Sequence, residues 1–315
     1  MSPTAVETLR CPQCFGRLLQ GKDSLRCNAC AATFPIERGV PRFAQERGDA
    51  AAERTRRSFG YEWSHFSDWE PSGTQNFAQY FGDVDLSRLR AALVLDAGCG
   101  MGRHARQMAA HARHLFAVDF SSAIDAAARN TAGLSNVDCV QADLFRLPFA
   151  DETFDYVYSL GVLHHVRDTP AAVRLLASKV KPGGRLRIYL YWKRHGWQGA
   201  LLRVVSAVRV VTTRLPLPLL RLLCAMLSVV LYGGVIQPYR LLRPMGFDGA
   251  GRLPLWVYVN YPFAVLYNDQ FDRLSAPIEK RYDADDVRRL MESAGLTDLT
   301  VRPSFGWVAE GVRPQ

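Results

Sequence analysis

Between Thr169 and Phe247 the chain has no aspartate and no glutamate, although its 315 residues include 30 acids. The same segment holds thirteen lysines and arginines against a net charge of +9 for the whole chain, which leaves the remainder at −4. Basic character is therefore concentrated in one segment rather than spread over a uniformly cationic surface. A leading apolar run is also missing. The first thirty residues carry charges and paired cysteines where a signal peptide would be hydrophobic, and a cytoplasmic location is the expectation. Cysteine is scarce, at seven residues, which argues against a disulfide framework and leaves metal binding and burial as its uses. At this length and 48% hydrophobic, the chain can bury one large core and a small satellite, about two domains.

What the chain does have is sharpest at residues 93–119, LVLDAGCGMGRHARQMAAHARHLFAVD. An apolar strand, a glycine-rich turn, a helix and a second strand ending in an acid follow one another. Asp96, Gly98, Gly100 and Gly102 form D-x-G-x-G-x-G, in which glycines let the turn take positive φ and let a ligand lie against the main chain. Asp119 closes the second strand, where a carboxylate can accept from two ribose hydroxyls. Dinucleotide sites instead use G-x-G-x-x-G, with pyrophosphate on the helix N-terminus. Here an acid stands two residues before the first glycine, which suits a ligand carrying an ammonium group better than one carrying phosphates.

With these residues in view, 91–192, and more loosely 277–315, resemble the class I S-adenosylmethionine-dependent methyltransferases, with a core like the type 11 domain. The resemblance implies an α/β, Rossmann-like seven-stranded sheet and S-adenosylmethionine as cofactor. Further landmarks are Asp143 in QADLFRLPFADETFDYVYS, SLGVLHHV at 159–166 and the proline-glycine turn KPGGRLRIYLYW. By the same resemblance Asp143 meets the adenine amino group, Leu144 lies beside the ring, and Phe120 and Ser159 join the cofactor set. Arg103, just inside the helix after the glycines, pairs with the cofactor's carboxylate or faces solvent.

Four cysteines form a second constellation. Cys11-Pro-Gln-Cys14 and Cys27-Asn-Ala-Cys30 are two C-x-x-C knuckles separated by twelve residues, a spacing that brings four thiolates around one tetrahedral zinc ion. Four closed sulfur ligands make that zinc structural, with rubredoxin-like iron the alternative. Residues 8–43 resemble the zinc-ribbon proteins that activate tRNA and protein methyltransferases. A similar ribbon precedes certain rRNA methyltransferase domains. The ribbon thus either reads RNA or buttresses the catalytic domain.

The expected organisation is a zinc ribbon over 1–45, a linker and lead-in helix over 46–90, the cofactor-binding core over 91–192, a mainly helical insertion over 193–276, and the end of the core over 277–315. In the lead-in, YEWSHFSDWE offers Tyr61 and Trp63 either to cover the cofactor or to dock the helix. In the insertion, ALLRVVSAVRVVTT spaces Arg203, Ser206, Arg209 and Thr213 so that a helix has one narrow polar stripe and a wide apolar arc. The run LLCAMLSVVLYGGVI is fifteen residues long, short of the about twenty that span a bilayer. The insertion is either a lid over the acceptor pocket or a basic amphipathic element on the inner membrane surface, through 197–243.

Chemically, a sulfonium donor already methylates well, so alignment and exclusion of water are the main tasks. An oxygen or carbon acceptor must also lose a proton, and His165 or His164, after the fourth core strand, are the candidate bases, with a structural role as the alternative. The leading expectation is methylation of a small, hydrophobic or lipid-like acceptor at O, C or N. RNA methylation is the second reading and a non-catalytic cofactor-binding scaffold the third.

Overall fold

The computed structural model describes residues 1–44, 50–66, 73–246 and 253–315, with backbone only for 73–75. The last residue of the expected ribbon with the start of the expected linker (45–49), and the end of the aromatic stretch (67–70), lie outside the described residues. Tertiary contacts divide the chain into two units. The first comprises the described residues of Met1–Ser64, Gly73–Lys193 and Ile278–Gln315, the second those of His65–Ser72 and Arg194–Pro277.

The first unit opens with helix α1 (Pro3–Thr8), capped by the Ser2 hydroxyl on the Ala5 N–H. Strands β1 (Leu18–Gln20), β2 (Ser24–Cys27), β3 (Thr33–Glu37) and β4 (Val40–Pro41) follow as a four-stranded antiparallel ribbon. Helices α2 (Ala50–His65) and α3 (Gly73–Phe81) lead to the large sheet. This sheet is built from β5 (Leu93–Ala97), α4 (Arg103–Met108), β6 (His114–Asp119), α5 (Ala123–Asn130), β7 (Val137–Gln141), β8 (Phe154–Leu160), α6 (Thr169–Lys179) and β9 (Val180–Leu190). Its seven strands run in the order β10-β11-β9-β8-β5-β6-β7, where β10 is Thr297–Pro303 and β11 is Trp307–Val312. Strands β9, β8, β5, β6 and β7 are parallel, β11 pairs antiparallel with β9, and β10 pairs antiparallel with β11. That is the expected α/β, Rossmann-like architecture.

The local sequence explains it. LVLDA is buried at all five positions, the pattern of a strand covered by helices on both faces. The order reverses at β5, which has β6 on one side and β8 on the other, and the crevice above that switch point is where ligands bind in open parallel sheets.

The ribbon is welded to this sheet. The Arg10 N–H donates to the Pro148 carbonyl at 2.8 Å and the Phe43 N–H to the Gln141 carbonyl at 2.7 Å, while Arg42 bridges in parallel to Gln141 at the end of edge strand β7. Leu9, Leu18, Leu25 and Phe34 share one apolar core with Phe149 and Phe154. The ribbon thereby covers a sheet edge that would otherwise offer unpaired backbone groups.

The second unit contains α7 (Gly196–Thr212), α8 (Leu217–Leu231), α9 (Gln237–Leu242) and α10 (Phe263–Ser275), with α10 packed against both α7 and α8. The remaining helix of the first unit, α11 (Ala284–Glu292), precedes β10. In one respect the sequence reading needs correction. The fifteen-residue apolar run is only part of its helix, because the chain passes through Gly233 and Gly234 as a π-helical turn, Tyr232–Ile236, and then continues. The helical run Leu217–Met245 is 29 residues, long and apolar enough by length and composition to cross a membrane.

Candidate functional site

The glycine turn sits at the carboxyl end of β5, with Gly98, Gly100 and Gly102 at φ of 89°, 54° and 78°. All three lie where an L-residue is strained, and Gly98 is also closed to a side chain while Gly102 leaves little room for one. A Cβ on Gly98 would lie 2.3 Å from the Val162 side chain, and one on Gly102 would lie 3.0 Å from Ala127. At Gly100 the near neighbour is Trp63, whose indole nitrogen would be 3.3 Å away. The turn is thus a cradle of bare backbone with an indole against it.

Two carboxylates flank the cradle. Asp96 is buried and accepts from the Tyr158 hydroxyl at 2.9 Å, its register neighbour on β8. Burial pushes its acid up to about 8; the Tyr158 hydrogen bond opposes this and the nearby Asp119 charge reinforces it. Asp119 accepts from the Gly100 N–H through one oxygen and from the Ser121 N–H and hydroxyl through the other, at 2.6–2.8 Å. Burial raises its acid too, against those three donors. Two acids made costly to ionise beside open backbone are the chemical complement of a cationic ligand that also carries hydroxyls. The donor set therefore fits S-adenosylmethionine, whose ammonium and sulfonium groups are positive.

The other expected cofactor residues fall as follows. Asp143 is buried after β7 and caps a 3-10 turn by accepting the Phe145 N–H at 2.9 Å, and Leu144 begins that turn. Phe120 lies under the Arg56 guanidinium, 5.7 Å from its ring centre. Ser159 is fully buried and donates its hydroxyl to the Ala97 carbonyl at 2.7 Å, tying β8 to β5. Arg103 opens α4 and lies 3.5 Å from the His104 ring nitrogen. Tyr61 is half-buried on α2.

The two histidines have different surroundings. His164 is wholly buried with its ring stacked on Tyr191 at 3.8 Å, and burial, then the charges of His165 and Arg281, hold its pKa well below the usual value. That is a packing environment for a neutral ring. His165, 4% exposed, has Nδ1 2.6 Å from the Ile278 carbonyl and its ring edge-on to Phe59 at 5.0 Å. A carbonyl only accepts, so Nδ1 carries a hydrogen, and in the neutral ring the lone pair is on Nε2.

Several of these neighbours are not marked by any sequence motif. Tyr158, Val162, Ser121 and Phe59 each touch a site residue, and α2 places Arg56, Phe59, Gly60 and Trp63 along that site. The one available signal was Gly60, a glycine inside a helix. A Cβ there would lie 2.5 Å from the Ser122 hydroxyl oxygen, so the helix must run close to the loop after β6.

At the ribbon, the ligand sulfurs of Cys11, Cys14, Cys27 and Cys30 all lie within 4.8 Å of one another. Both knuckles end in a non-glycine residue of positive φ, Phe15 at 55° and Ala31 at 59°. Such strain persists where the surroundings over-determine it, as four ligands around one ion do. The backbone N–H groups of Cys30 and Ala29 lower the Cys27 thiol to about 6 despite its burial. The cluster fits a tetrahedral metal ion.

Comparison with known proteins agrees with this geometry. Residues 95–188 match the family described as "Methyltransferase domain". The match and the sheet order together identify a methyltransferase domain within the core. Among curated relatives, the chain is 29% identical over 178 residues to O-methyltransferase cnsE of Penicillium expansum, covering 53% of this chain and 63% of that protein. It is 30% identical over 131 residues to probable tRNA methyltransferase 9B of Mus musculus, covering 37% and 28%. The chain thus spans less than two thirds of either relative. The crystal structure of human N-acetylserotonin methyltransferase in complex with SAM superimposes with a TM-score of 0.50 at 14% identity, over 86% of this chain and 61% of that one, a likeness of fold.

Proposed function

We propose that this chain transfers a methyl group from S-adenosylmethionine to an oxygen of a small, apolar acceptor. Bound in the cradle, the cofactor supplies an electrophilic methyl on a sulfonium. The glycine turn and Trp63 shape its seat, Asp96 faces its cationic end, and Asp119 takes its ribose hydroxyls. His165 carries the reading. With Nδ1–H committed to the Ile278 carbonyl, its Nε2 lone pair is the group that takes the acceptor's hydroxyl proton. Phe59, Tyr189 and Tyr191 gather aromatic surface around the histidine pair, in keeping with an apolar acceptor. The name of the fungal relative supports transfer to oxygen. The ribbon carries a structural zinc ion in this reading and stiffens the sheet edge.

The test is methyl transfer from labelled cofactor into a whole cell extract, partitioned into organic, aqueous and RNA fractions. Label in the organic fraction that falls by about 10²–10³ with His165→Asn, at unchanged affinity for S-adenosylmethionine, supports the proposal. Label in RNA overturns it and gives the ribbon a recognition role. Cofactor binding without transfer points to a scaffold.

A further inference from the structure

The second unit buries several polar side chains beside a small apolar core and leaves a large apolar surface on its outside. Arg209, Ser228, Asn268, Gln270 and Ser275 are all buried. The Arg209 guanidinium donates to the Arg273 carbonyl at 2.9 Å and the Thr212 hydroxyl to the Leu274 carbonyl at 2.8 Å. The expected polar stripe of α7 therefore turns partly inward, and its apolar arc faces out. Trp197, Leu201, Val204, Val208 and Val211 recur every three or four residues and are 46–62% exposed. On α8, Leu222, Met226, Val229 and Val230 are 51–68% exposed, while Leu220, Cys224 and Ser228 form the buried side. Among the described residues, sixteen of the twenty exposed large hydrophobic side chains lie between 197 and 245. A helix bathed in water has the reverse arrangement, and one facing lipid has this one.

We propose that α7 and α8 dock this protein on the surface of an anionic lipid bilayer, their outward apolar faces entering the boundary between headgroups and acyl chains. Charge selects this occupant. Between Arg194 and Phe247 there are seven arginines and no acid, so a second copy would set like charge against like, whereas anionic headgroups are complementary. Arg203 on α7 and Arg214 in the turn just after it are exposed, placed to reach headgroup phosphates. Docking in the interface fits better than spanning. The inner side of α8 is held by protein, with Arg221 Nε 3.3 Å from the Tyr267 hydroxyl, and Arg240 and Arg243 lie farther along the same helical run. The proposal uses no residue of the glycine turn and stands independently of methyl transfer.

The full chain is sedimented with vesicles of phosphatidylcholine alone and of phosphatidylcholine mixed with phosphatidylglycerol. Binding to the mixed vesicles about tenfold or more tighter than to the neutral ones is expected, weakened by salt. The double variant Val208→Glu, Met226→Glu should lose it, while S-adenosylmethionine binding by calorimetry stays unchanged and reports an intact fold. In the unmutated helices, lipid brominated along its acyl chains should quench tryptophan fluorescence, and Trp197→Phe should remove that quenching. Failure to bind either vesicle overturns the proposal. So does binding that ignores both lipid charge and the double variant, or a dimer in the ultracentrifuge that the double variant dissolves while vesicles are ignored.

Discussion

The Asp119 carboxylate accepts the backbone N–H of Gly100 at 2.8 Å, tying the end of β6 to the middle of the turn after β5. One side chain therefore fixes the cradle and presents oxygen to what lies in it. Asp119→Asn retains the shape but replaces one accepting oxygen with an amide that only donates. We expect the dissociation constant for S-adenosylmethionine to rise about 10- to 100-fold, corresponding to about 1.5–3 kcal/mol for hydrogen bonds to a charged acceptor. Isothermal calorimetry reads this directly. An unchanged affinity would restrict Asp119 to holding the turn.

Gly98 and Val162 are coupled by space. A methyl at Gly98 would overlap the valine side chain at 2.3 Å, and its φ of 89° adds a separate backbone cost. Gly98→Ala should destabilise by about 2–5 kcal/mol, from about 1–2 for the left-handed backbone and about 1–3 for overpacking. The double variant Gly98→Ala, Val162→Ala should recover the overpacking part and not the backbone part. Denaturant titration of the four proteins of this cycle gives the coupling, and additive losses would show that Val162 is not the obstacle.

How far the sequence spoke depends on what each feature rests upon. The strand before the glycine turn and the turn itself were legible because backbone requirements are local: a run such as LVLDA and glycines at alternate positions mean much the same wherever they occur, whereas the seven-stranded sheet followed only from the family resemblance. The knuckles were legible for the same reason. The second unit was less so. Periodicity told that α7 would have a polar stripe and an apolar arc but not which faced inward, since that depends on α10, which supplies carbonyls to Arg209 and Thr212 from sixty residues away. The length of the helix through Gly233 was hidden because a π turn absorbs glycines that usually signal a stop. His164 and His165 look alike in the chain and part ways only through Tyr191 and the Ile278 carbonyl.

Asp96 makes a prediction about protons. Its acid stands at about 8 in the folded protein and at about 3.9 when unfolded, so between those values the native state holds the extra proton. Stability of the cofactor-free protein therefore falls as pH rises from about 4 to about 8, and Asp96→Asn flattens that slope. A cationic ligand favours the ionised acid, so binding at pH 7 should expel up to about one proton. Calorimetry in phosphate and in Tris, whose ionisation enthalpies differ, would show binding enthalpies that diverge for the natural protein and coincide for Asp96→Asn. Equal enthalpies in both buffers for the natural protein would place the ammonium group elsewhere.

The role of the four-cysteine ribbon turns on the core it shares with the large sheet. Leu18, Leu25 and Phe34 pack with Phe149 and Phe154, and Phe43 bonds to Gln141 on the edge strand of the sheet. Metal analysis should find about one zinc per chain, and a rubredoxin-like colour would identify iron instead. Cys27→Ser should lose the ion. Since metal binding and folding are one equilibrium in such sites, the loss should lower the melting temperature of the whole first unit, about 8–16 °C for a loss of about 4 kcal/mol. Cofactor affinity should weaken in parallel, because Arg42 of the ribbon pairs with Asp125 on α5 at 2.5 Å, and α5 follows directly on the Asp119 loop. A separate early transition that leaves the main melt and the cofactor affinity untouched would instead make the ribbon an independent module, available to bind something other than its own sheet.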